Sequence, residues 1–97
     1  MQTVFSLRAE RDLEEIADYI AQDNPRRALS FIAELRAHCA RIADAPLAFP
    51  ARAELSPRLR ASAHGRYVIF FRPSSSGILI VRILHGARDL PRQFDPW

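Results

Sequence analysis

"RYVIFFRPSSSGILIVRILHGARDL", residues 66–90, holds two runs of β-branched and aromatic residues separated by a cluster of Pro, Ser and Gly. That arrangement predicts a β-hairpin, with strands at 66–72 and 78–85 joined by the five-residue loop "PSSSG". Successive side chains of a strand point to opposite faces, so Tyr67, Ile69 and Phe71 share one side of the first strand and Val68, Phe70 and Arg72 the other. In the second strand Leu79, Val81 and Ile83 oppose Ile78, Ile80, Arg82 and Leu84. A fully buried, unpaired guanidinium is costly, so the face carrying Arg72 and Arg82 is expected to be the open one.

Upstream, "LRASAH" (59–64) is a third strand candidate, and "PLAFPARAELSP" (46–57), with its three prolines, reads as an irregular connection. Before it lie two helical patterns. Leu13, Ile16, Ala17 and Ile20 recur at helical spacing from Leu7 to about Gln22, with Ser6 placed as N-cap and acids filling the first turns, where the macrodipole favours them. "DNPRRA" then stops and restarts the helix, Asn24 being a natural N-cap and Pro25 a natural first residue. The second stripe is Ala28, Ile32, Leu35, Cys39 and Ile42, and it ends near Asp44 because Pro46 cannot continue it. Two helices so closely joined predict an antiparallel hairpin. "QTVFS" (2–6) is a short strand candidate ahead of them.

Composition bounds the chemistry. A chain of 97 residues fits one domain over 1–97, and 48% apolar with 26% charged residues is the balance of an ordinary globule. No apolar stretch is long enough to span a bilayer and the start turns acidic where a leader would be apolar, so a cytoplasmic location without membrane contact is expected. Cys39 is the single cysteine, which excludes an internal disulfide, and its place on an apolar stripe reads as core. All 14 basic residues are arginine, which excludes a lysine base or nucleophile. Residues 1–45 hold six Arg against eight acids, and residues 46–97 eight Arg against three, so the C-terminal half is the cationic one. Arginine's planar fork suits carboxylate and phosphate, which points to an acidic partner for that half. No metal-ligand spacing and no cofactor motif is present.

The order strand, helical hairpin, three-stranded meander, with "YVIFFRP" at 67–73, "VRILHGARDL" at 81–90, "LRAERDLEEIADYI" at 7–20 and "ELSPRLR" at 54–60, resembles the ParE toxins of bacterial type II toxin–antitoxin modules, within the RelE/ParE superfamily. The resemblance implies an α+β fold: an N-terminal strand, an antiparallel helical hairpin and a three-stranded antiparallel meander, helices on one face of the sheet. It also implies a toxin that binds and inhibits DNA gyrase without turnover of its own. A ParD-like antitoxin would neutralise it in a hetero-oligomer. A second reading is a RelE-type ribosome-dependent mRNA endoribonuclease, and a third is a basic interaction module of the same fold without the activity.

The candidate sites follow these readings. Arg82, Arg88, Arg92 and Trp97 are the expected target contacts, since Trp and Arg together compose interface hot spots. Two alternatives stay open: Arg88 and Asp89 can form a local ion pair in a turn, and Trp97 can fold back onto the sheet. Arg52, Arg60, Arg72 and Arg82, beside exposed Phe70 and Ile80, offer a surface for an acidic and apolar antitoxin segment that orders on binding. For the nuclease, His85 would be the acid/base, with Arg82 and Arg88 on the phosphate. Against that, His85 ends a strand on the parity of Leu79, Val81 and Ile83, which suits a structural histidine bonded to backbone. No tyrosine follows Tyr67 to assist.

Overall fold

The computed structural model of the chain describes residues 2–87 and 90–94. Its elements run β1 (Gln2–Phe5), α1 (Leu7–Ala21), α2 (Pro25–Asp44), a short 3₁₀ turn (Pro46–Ala48), β2 (Arg60–His64), β3 (Tyr67–Ser74), β4 (Gly77–His85) and α3 (Leu90–Gln93). The four strands form one sheet in the order β1-β4-β3-β2. β2, β3 and β4 are an antiparallel meander, and β1 lies parallel to β4 at the edge. The expected α+β architecture is therefore observed, with β1 beside the last strand rather than the first of the meander.

The caps act as the sequence indicates. Ser6 Oγ accepts the Ala9 N–H at 3.0 Å and donates to the Val81 carbonyl at 2.8 Å, so one hydroxyl starts α1 and ties it to β4. Asn24 Oδ1 accepts the Arg27 N–H at 3.0 Å and Pro25 opens α2. The apolar stripes of the two helices meet the sheet in a core that includes Leu13, Ile16, Leu35, Cys39 and Ile42 against Ile69, Phe71, Ile78, Ile80 and Ile83. Burial pushes the Cys39 thiol up to about 11, in keeping with a core residue.

Two features of the hairpin depart from the expectation. Its connection is a two-residue turn, since Ser74 pairs with Gly77 and Pro73 with Ile78, so most of "PSSSG" belongs to the strands. Pro73 is tolerated there because β2 pairs with β3 only as far as Phe71, leaving that edge without a strand neighbour. The second departure is a β-bulge: Phe70 lies opposite Arg82 and Phe71 opposite Ile80, leaving Val81 as the extra residue. Beyond the bulge the parity of β4 is reversed. Ile78, Ile80 and Ile83 all meet the helical hairpin, while Leu79, Val81 and Leu84 turn to the other side.

That other side is not open. Leu55, Leu59, Leu90 and Phe94 cover it, forming a second core with Ala61, Val68, Phe70, Val81 and Leu84. The sheet is thus covered on both faces, by the long helices on one and by the 55–59 segment and α3 on the other.

β1 approaches β4 closely at Gly77. A Cβ at Gly77 would fall 1.8 Å from the Gln2 carbonyl oxygen, so only glycine admits the strand. Gly77→Ala is expected to destabilise the fold by about 2 to 3 kcal/mol through this overpacking. Urea unfolding measures the loss, and faster amide hydrogen exchange in β1 than in β3 would locate it.

Candidate functional site

The arginine that the sequence offers to a partner is held by the chain itself. Arg82 is 3% exposed and Asp12 4%. Arg82 Nε donates to Asp12 Oδ2 at 2.9 Å and Nη2 to Oδ1 at 3.0 Å, while the Ile83 N–H also donates to Oδ2 at 2.9 Å. The geometry follows from the ends of the strands. β1 pairs with β4 only as far as Phe5–Ile80, after which α1 runs beside β4 and Asp12 takes the place of the missing strand. The expectation of an accessible Arg82 is corrected: two hydrogen bonds to an internal carboxylate remove the penalty that would have kept it in solvent. Phe70 and Ile80, expected as exposed apolar anchors, are both 0% exposed and belong to the two cores.

The other predicted arginines are engaged but not sealed. Arg72 donates from Nε to the Pro57 carbonyl at 3.1 Å and from Nη2 to the buried Ser56 hydroxyl. Arg60 Nη1 donates to the Phe49 carbonyl at 2.6 Å. Arg52 pairs with Glu54 at 2.6 Å and lies over the Phe70 ring at 5.9 Å. Together they fasten the proline-rich connection to the sheet, each keeping a half-exposed side chain. Arg92 is exposed on α3. Arg88 and Trp97 lie outside the described residues.

A trough that no spacing in the sequence signals lies where the helical hairpin meets the start of β3 and the end of β4. Tyr67 and His85 are direct cross-strand partners, with ring centroids 5.5 Å apart and nearly perpendicular. The Ala87 N–H donates to His85 Nδ1 at 3.2 Å, so Nδ1 is the accepting nitrogen of that ring. These rings line a cavity of about 500 Å³ with Tyr19 of α1, Arg27 and Phe31 of α2, and Arg66 of the β2–β3 turn. An adjoining cavity of about 250 Å³ shares Tyr19, Tyr67 and His85 and adds Asp12 and Glu15. Asp12, Glu15, Ile16 and Tyr19 stand at i, i+3, i+4 and i+7, one face of α1. Burial, and Tyr19 after it, push the Tyr67 phenol above its ordinary value, so it is a neutral O–H donor at physiological pH.

A row of rings continues the trough: Tyr67 to Phe31 at 5.7 Å, Phe31 to His64 at 5.4 Å and His64 to His38 at 5.1 Å. His38 and His64 share one hydrogen bond between their Nδ1 atoms at 2.8 Å, and His38 Nε2 is bonded to the Ser62 hydroxyl at 2.9 Å. Burial first, then His64 and Arg41, hold His38 below its ordinary value of 6.5. The unfolded chain therefore takes up this proton before the folded one. The stability that His38 contributes is complete above about pH 6.5 and is lost as pH falls below it towards the lowered folded value. His38→Gln, which cannot titrate, is expected to shrink the drop in urea midpoint between about pH 7.5 and about pH 5.5. An unchanged drop would refute the assignment.

Among the described residues no group of three or more His, Cys, Asp or Glu is arranged to hold a metal ion, and no helix is long and apolar enough to cross a membrane.

Comparison with known proteins agrees with this architecture. Among solved structures, a chain from the "Chromosomal ParDE TA system from P. aeruginosa" superposes with a TM-score of 0.74 at 22% identity, over 88% of this chain and 95% of that one. At that identity the likeness speaks for the fold. No curated protein matches the sequence. The family model described as "ParE toxin of type II toxin-antitoxin system, parDE" matches residues 3–90, nearly the full length. The chain therefore belongs to the ParE toxin family of type II toxin–antitoxin systems.

Proposed function

We propose that this toxin inhibits DNA gyrase by binding, stabilising the gyrase–DNA cleavage complex or blocking strand passage, and that a ParD-like antitoxin neutralises it in a hetero-oligomer. The observation that carries this reading over the nuclease is the buried Asp12–Arg82 pair. A guanidinium that is 3% exposed and paired through Nε and Nη2 with an internal carboxylate is out of reach of a scissile phosphate, so the constellation of His85, Arg82 and Arg88 loses its central cation. Inhibition by binding needs surface instead, and Arg92 supplies exposed charge on α3, with Arg88 and Trp97 as further target contacts. The antitoxin in this reading is an acidic segment that orders on binding. Its carboxylates meet the half-exposed Arg52, Arg60 and Arg72, while Phe70, Ile80 and Arg82 contribute to the fold.

One paired assay tests the proposal. Purified toxin is added to gyrase with relaxed plasmid, and separately to translating ribosomes with mRNA. Loss of supercoiling with intact transcripts is expected; cut transcripts with unimpaired gyrase would transfer the chain to the ribonuclease reading.

A further inference from the structure

The trough along Tyr19, Tyr67 and His85 has a chemistry that neither the toxin's target nor its antitoxin explains. At one end Arg27 and Arg66 bring positive charge. Arg27 already pairs with Glu34 at 2.6 Å and lies over the Phe31 ring at 5.1 Å. Arg66 is exposed and forms no ion pair among the described residues, so it is the cation free to meet a ligand. In the middle stand two phenols and the Nε2–H of His85, all able to donate, with Tyr19 68% exposed and offering a ring face. At the far end is a carboxylate, Glu15, since both oxygens of Asp12 are taken by Arg82 and Ile83.

A ligand that fits must carry an anion at one end, a flat ring in the middle and hydrogen-bond donors at the other end. An acidic peptide satisfies the arginine end and is repelled at Glu15. A simple inorganic anion leaves the rings unused. The geometry points to a nucleoside monophosphate unit: phosphate on Arg66, base stacked on Tyr19 beside Tyr67, and an exocyclic amine of the base donating to Glu15. The larger cavity, about 500 Å³, has room for one such unit. The unit can arrive as a free nucleotide or as one residue of a single strand, and the chemistry recognised is the same.

The full-length chain is titrated with AMP, followed by NMR chemical shifts, and with fluorescein-labelled oligoadenylate, followed by anisotropy. Saturable binding is expected, with shifts centred on Tyr19, Arg66, Tyr67 and His85. Tyr19→Ala and Arg66→Ala alter exposed side chains, so both should keep the wild-type circular dichroism. Each is expected to weaken binding about tenfold, the size of a lost stacking or phosphate contact. Arg41→Ala, equal in charge to Arg66→Ala but outside the trough, should bind as wild type. Tighter binding of the oligonucleotide than of AMP marks a strand as the source, and equal or tighter binding of AMP marks the free nucleotide. No saturation with either probe, or an equal loss in Arg41→Ala, would overturn the site. Displacement of AMP by a glutamate-rich peptide at matching concentration would overturn its nucleotide assignment in favour of an acidic segment.

Discussion

Asp12→Ala is expected to destabilise the toxin by about 3 to 5 kcal/mol, the cost of leaving a buried charge without its partner. The substitution strands the Arg82 guanidinium at 3% exposure and removes the acceptor of the Ile83 N–H. A domain of this kind has about 5 to 15 kcal/mol in all, so the loss is a large share of the total. Urea midpoints measure the loss, and two companions separate its causes. Asp12→Asn keeps an acceptor for the backbone and should lose less than alanine. The double change Asp12→Leu with Arg82→Met removes both charges together and should recover most of the stability, since apolar residues of similar volume often replace a buried ion pair without loss. If Asp12→Ala unfolded at the wild-type midpoint, the pair would have to be solvated, and the argument against a phosphate-binding Arg82 would go with it.

The second large effect is expected at Phe70. Phe70→Ala should cost about 3 to 5 kcal/mol, because the ring is fully buried in the smaller core. It packs edge-on against Phe94 with centroids 4.8 Å apart. Phe94→Ala should therefore combine with it less than additively, a coupling that a double-mutant cycle of unfolding free energies reads directly. An exposed anchor for the antitoxin would behave in the opposite way: truncation would leave stability nearly unchanged and weaken the complex. The same two measurements on one variant thus decide between a core role and a contact role.

Most of the architecture was legible because it rests on local signals. Ser6, Asn24 and Pro25 each have a short-range reason to sit at a helix start, and the stripes of α1 and α2 need only the helical period. The site was less legible, and the reason lies in one residue. Counting alternately along β4 places Val81 and Ile83 on the same side, and the bulge at Val81 reverses that count halfway. Nothing in "ILIVRILH" announces a bulge, since no glycine marks it. Asp12 had a signal that the macrodipole argument absorbed: it stands four residues before Ile16, on the buried side of α1, where an acid requires a partner. The trough was out of reach because Tyr19, Arg66 and His85 come from three elements and no spacing connects them.

The contacts that close this fold join residues far apart along the chain: Ser6 to Val81 across 75 positions and Asp12 to Arg82 across 70. A nascent chain leaves the ribosome with its N-terminus first, so both helices emerge while the strand they lean on has yet to be made. Their apolar stripes then have nothing to cover, and the Asp12 carboxylate waits in water. A chain built this way cannot close its fold until β4 has been made, and a product that stops before position 82 lacks the partner of Asp12.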